Sequence, residues 1–189
     1  GVVHKARNNL TEEKIEFAQD TPLRTAEEAL EGADLFLGVS GPGLLTAEMV
    51  SKMAKSPIIF ALANPTPEIM PDEARRGAPD ALIATGRSDF PNQVNNVLCF
   101  PFIFRGALDV GATEINDAMK IACVEAIAEL ARRTASAELG QAYQGERLAF
   151  GPEYLIPKPF DPRLLPTIAL AVAKAAMDSG VATRPVDLD

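Results

Sequence analysis

Three nearly continuous apolar runs, Leu35 to Val39, Ile58 to Leu62 and Ala81 to Thr85, punctuate the first half of the chain, and each ends in a cluster rich in Gly, Ser, Asn or Pro. Short runs of this kind predict strands covered on both faces, as in a parallel sheet. Helix signals lie between them. Residues 12–18 form a short polar helix, Thr25 with Glu28 makes a capping box for a helix that Gly32 closes, Thr46 caps another reaching about Ala54, and Pro71 opens one ending near Gly77. The strands recur roughly every 24 residues, too far for hairpins and suited to βα crossovers. The pattern predicts an α/β fold: a doubly wound, Rossmann-like parallel sheet with helices on both faces.

From Asn95 the pattern turns helical. Val97, Leu98, Phe100, Phe102, Ile103, Phe104 and Leu108 form a strongly apolar stretch that Pro101 is expected to kink. Residues 114–133 read as an amphipathic helix with Ile115, Met119, Ala122, Ala126 and Leu130 on its inner face. A connection rich in Gly and Pro runs from Gly140 to Pro159. Asp161 then caps a last helix, with Pro162 in its first turn and Gly180 at its end. Gly1, Val2 and Val3 read as the exit of a strand begun upstream. The expected organisation is therefore most of a dinucleotide-binding domain over 1–139, lacking its first βα unit, a connection and C-terminal helix over 140–182, and a linker over 183–189.

Composition narrows the partners. Eighteen basic against 26 acidic residues leave a net charge of -8, which repels phosphate backbones and anionic surfaces, so neither nucleic acid nor membrane is an expected partner. No apolar run approaches the roughly 20 residues that cross a bilayer. The two cysteines, Cys99 and Cys123, fall in apolar helical patterns and predict buried free thiols in a reducing compartment, the cytoplasm.

Ligands of open α/β sheets bind outside the carboxyl ends of the strands, so the exit loops are where chemistry is sought. Gly38 to Gly43 lacks the spacing of a dinucleotide fingerprint, and Pro42 removes one N–H donor; it serves either as a turn or as bare backbone against which a flat cofactor lies. Asn64 before Pro65 is either a turn residue or a neutral amide able to hold a carboxylate or carboxamide. Asn92, Asn95 and Asn96 raise the same question; Asn95 suits a helix cap, whereas Asn96, one residue further in, does not. Asp89 beside Arg87 reads as a loop salt bridge. His4, the only histidine, reads as a surface residue and cannot build a triad or a multi-His metal site. The residues themselves lead to a small-molecule or nucleotide half-site without an evident base or nucleophile.

Four motifs go further. Gly38 to Gly43 (GVSGPG), Phe60 to Pro65 (FALANP), Ala84 to Asp89 (ATGRSD) and Gln93 to Pro101 (QVNNVLCFP) resemble the cofactor domain of malic enzymes. The resemblance continues through Phe104 to Thr113 (FRGALDVGAT) and Phe150 to Arg163 (FGPEYLIPKPFDPR), stretches similar to the large bacterial type. In that type a phosphotransacetylase-like domain follows, and Ala182 to Pro185 (ATRP) resembles the junction to it.

The resemblance implies a homo-oligomeric oxidoreductase that converts (S)-malate to pyruvate and CO2 with NAD or NADP and a Mg or Mn ion. It implies Asn64 and Asn96 as contacts to malate and the nicotinamide end of the cofactor, with Ser40, Gly41 and Asn95 lining the cofactor groove. It places the catalytic Tyr and Lys and the acidic metal ligands upstream of Gly1, so no catalytic residue and no metal ligand is expected in this segment. The isolated segment is then inactive. The alternative is a non-catalytic nucleotide-binding or regulatory module on the same scaffold.

Overall fold

The computed structural model describes residues 1–143, 146 and 148–187, the side chains of Ala137 and Glu138 excepted. The chain forms two compact units, Gly1–Thr85 and Gly86–Asp189.

The first unit holds α1 (Glu12–Phe17), α2 (Ala26–Leu30), β1 (Leu35–Gly38), α3 (Ala47–Ser51), β2 (Ile58–Ala61), α4 (Pro71–Gly77) and β3 (Leu82–Thr85). The strands pair in parallel in the order β1-β2-β3, with Gly38 opposite Ala61 and Ala61 opposite Thr85. That register brings the three strands to an end at one level. The alternation of strand and helix in a Rossmann-like parallel sheet is as the apolar runs and caps predict. Thr25 Oγ1 accepts the Glu28 N–H at 3.2 Å while the Glu28 carboxylate accepts the Thr25 N–H at 2.9 Å, completing the capping box. Thr46 accepts the Met49 N–H, and Pro71 sits in the first turn of α4.

One helix boundary differs from expectation. The helix after Thr46 stops at Ser51 instead of reaching Ala54, because the Ala54 N–H bonds to the Ala33 carbonyl at 3.0 Å and draws the chain away from the helix axis. Within these residues Leu35, Leu37 and Val39 are exposed, while Ile59 and Ile83 on the other strands are buried against Leu45, Val50 and Ala74.

The second unit is helical: a 3-10 turn at Asn96–Leu98, then α5 (Phe100–Asp109), α6 (Asp117–Arg132), α7 (Ala137–Ala142) and α8 (Leu164–Asp178). Its core joins Leu98, Ile103, Met119, Leu130, Leu164, Ile168 and Val172. Gly106 lets α5 approach α8, since a Cβ there would stand 2.5 Å from the Ala169 carbonyl oxygen.

Several predicted boundaries shift here. Pro101 does not kink a helix; it lies in the first turn of α5, where its missing N–H is without consequence. The amphipathic helix begins at Asp117, since Asn116 accepts the Met119 N–H at 3.1 Å as its cap. Met119 and Leu130 are buried as predicted, Ile115, Ala122 and Ala126 half-buried. Asp161 is not the helix cap: its carboxylate accepts the Arg163 N–H at 3.0 Å and pairs with the Arg163 guanidinium at 2.7 Å, and α8 starts at Leu164 after that turn, with Pro162 outside it. α7 occupies the start of the expected connection. Thr183 and Arg184 bond back to the Val110 carbonyl.

Candidate functional site

The β1 exit carries Ser40 and Gly41, and the β2 exit carries Asn64. Both exits converge on one side chain. Glu68 is fully buried, and its Oε1 accepts the Ser40 N–H at 2.7 Å and the Ser40 hydroxyl at 3.1 Å. Its Oε2 accepts the Ala63 N–H at 3.1 Å, and its backbone carbonyl accepts the Leu45 N–H at 3.2 Å. Burial alone pushes the Glu68 carboxyl upward, but the N–H groups of Ser40 and Ala63, helped by the Ser40 hydroxyl, outweigh it and hold the group below its ordinary value. Among the described residues Glu68 is therefore an anion satisfied by hydrogen bonds, with no cation paired to it.

Above this clamp the surface is open. A Cβ built on Gly41 has no atom within 4 Å, so the backbone of the β1 exit is bare on that side. Asn64 is exposed, and its amide has no hydrogen-bond partner among the described residues. Bare backbone beside a free neutral amide fits a flat ring bearing a carboxamide, which is the chemistry of a nicotinamide.

The second unit carries Asn95 and Asn96. Asn95 caps the 3-10 turn, its Oδ1 accepting the Val97 N–H at 3.0 Å. Asn96 is exposed, and its amide has no partner among the described residues. Asn95 also lines a recess of about 520 Å3 with Ser88, Gln93 and Lys158. Asn92 is a structural residue: it is buried with φ of 56°, donates to the Pro152 carbonyl at 2.7 Å and accepts the Leu155 N–H at 2.7 Å. Arg87 and Asp89 form the expected loop salt bridge at 2.7 Å.

His4 is half-buried, bridged through its backbone to the Gln19 segment, so the surface assignment is only partly met. Cys99 and Cys123 are both free thiols, their sulfurs 3.4 Å apart, and burial together with Cys99 pushes the Cys123 thiol up to about 12. No group of three or more His, Cys, Asp or Glu able to hold a metal ion is present among the described residues. No helix among them is long and apolar enough to cross a membrane. What these residues can do is orient a ligand.

A profile of the family described as malic enzyme, NAD binding domain, matches residues 1–143. The chain belongs to that family. It is 64% identical over 188 residues to the NADP-dependent malic enzyme of Salmonella typhimurium, covering 98% of this chain and 25% of the relative. It is 59% identical over 187 residues to the NAD-dependent malic enzyme of Rhizobium meliloti, covering 98% of this chain and 24% of that one. The crystal structure of Entamoeba histolytica malic enzyme superposes with a TM-score of 0.74 at 39% identity, over 90% of this chain and 33% of that one. The chain thus spans about a quarter of the length of these curated relatives. Within this malic enzyme domain, Ser40, Gly41 and Asn64 share one unit and Asn95 and Asn96 the other. Glu68 escaped the sequence reading; its only signal is a lone carboxylate between Pro67 and Ile69 in an otherwise apolar turn.

Proposed function

We propose that this chain is the cofactor-binding part of an enzyme that oxidises (S)-malate and releases pyruvate and CO2. The observation that carries the reading is the open β1 exit beside the free Asn64 amide in a malic enzyme NAD-binding domain. NAD(P), when bound, supplies the acceptor for the hydride that leaves C2 of malate.

The chain's own residues bind and orient. Asn64 and Asn96, each argued from its own unit, offer neutral amides to the malate carboxylate and the nicotinamide carboxamide. They place C2 without adding charge beside the reacting carbon. The Ser40 and Gly41 backbone forms one wall of the cofactor groove, and Asn95 fixes the turn that presents Asn96.

The carboxylates that hold Mg or Mn, together with the Tyr and Lys that move protons, are assigned to the remainder of the protein, as the family resemblance implies. The short span of the chain relative to its relatives supports that division. We assign the whole protein to the cytoplasm, as the free thiols of Cys99 and Cys123 suit a reducing compartment. Assembly into homo-oligomers and a following phosphotransacetylase-like domain complete the proposal. The test is malate-dependent formation of NADH or NADPH by the full-length protein with Mg or Mn. Cofactor binding without turnover would favour the non-catalytic module.

A further inference from the structure

We propose that Glu68 is a positioning residue for this reaction: its buried carboxylate ties the β2 exit to the β1 exit and so sets the place from which Asn64 meets its ligand. The role presupposes that these exits receive NAD(P) and malate.

The physical grounds begin with cost. A fully buried carboxylate without a cation is unfavourable unless hydrogen bonds replace its water, and an apolar side chain of similar volume would fill the same space without that penalty. The carboxylate is useful because of what surrounds it. Where β1 and β2 leave the ladder, the N–H groups of Ser40 and Ala63 need acceptors. The two strand exits lie side by side, neighbouring strands being roughly 4.8 Å apart, and the two oxygens of Glu68 divide the task. Oε1 takes the N–H and hydroxyl of Ser40 while Oε2 takes the N–H of Ala63, the residue just before Asn64. The Glu68 carbonyl takes the Leu45 N–H, so one residue holds both ends of the loop from Ser40 to Leu45. Gly38 leaves the space that this arrangement occupies. The exposed amide of Asn64, with no partner among the described residues, has no anchor beyond its own backbone, and Glu68 supplies the anchor for that backbone.

The experiment is Glu68→Gln in the full-length enzyme, alone and combined with Asn64→Ala. Glutamine keeps the shape but turns an NH2 toward one of the backbone donors, which releases one exit. The expected result is an unchanged circular dichroism spectrum with kcat/KM for malate lowered roughly 10- to 100-fold. In the Asn64→Ala background the same change should cost less than about threefold, because its effect passes through Asn64. Should Glu68→Gln not fold, Ser40→Ala, which removes only the hydroxyl bond, is expected to lower kcat/KM by about 2- to 10-fold. Kinetics equal to wild type with only a lower Tm would overturn the role, as would losses that multiply fully with Asn64→Ala, or an unaffected Ser40→Ala enzyme if that variant is the one measured. A wild-type enzyme inactive on malate would overturn the proposed function and this role together, whereas an active wild type with kinetically silent variants would overturn the role alone.

Discussion

Gly38 and Glu68 occupy what is in effect one site: a Cβ on Gly38 would stand 2.5 Å from Cδ and 2.6 Å from Oε1 of Glu68. A last strand residue without a side chain is thus the condition for a carboxylate to reach beneath the strand exits.

Gly38→Ala should therefore destabilise the protein by about 1–3 kcal/mol, the usual range for overpacking a filled interior. Gly41→Ala, where a Cβ meets nothing within 4 Å, should leave the thermal midpoint close to wild type. Calorimetry on the two variants separates a packing glycine from one that keeps a surface bare.

Acid should act through Glu68. Its carboxyl is held below its ordinary value of 4.5, so its contribution to stability is fully present above that value and is lost as the pH falls through the depressed one. Denaturant unfolding between pH 6 and pH 3 should show this loss in the wild type, with a shallower dependence in Glu68→Gln.

The strands and caps were legible because their causes are local: an apolar run, a Thr three residues before a Glu, a Pro in a first turn. Glu68 was not, because its partners Ser40 and Ala63 lie on different strand exits and meet it only once the sheet has formed. Pro101 was misread for a related reason: in an apolar stretch only the fold decides where the helix begins, and a first-turn proline and a kinking proline look alike in sequence. Asn95 takes the capping role that a helix-entry Asn suggests, and Asn96, one residue further in, has no hydrogen-bond partner among the described residues.

The thiols should differ sharply in reactivity. Cys99 is half-exposed and Cys123 buried, its thiol raised to about 12 by burial and by Cys99. A maleimide at pH 8 should label Cys99 in the native protein and both residues in denaturant. Labelling of Cys123 first, read by peptide mass, would contradict the packing of α6. With its folded value above the unfolded one, Cys123 stabilises fully below about pH 9 and loses that contribution as the pH rises toward 12.

Asn96→Ala in the full-length enzyme should leave stability within about 0.5 kcal/mol of wild type, since its exposed amide makes no hydrogen bond to a described residue. Its kcat/KM for malate should fall roughly 10- to 100-fold, the worth of a hydrogen bond to a charged ligand. Steady-state kinetics beside a thermal melt reads both.

The central claim is that these strand exits serve malate oxidation, and the most direct measurement is the rate of NAD(P)H formation from malate by the full-length protein, wild type against Asn64→Ala. The wild type is expected to show malate-dependent reduction with release of CO2, and the variant a loss of at least about tenfold at unchanged fold. Turnover by Asn64→Ala equal to wild type, or no malate-dependent reduction by the wild type with either cofactor, would contradict the claim.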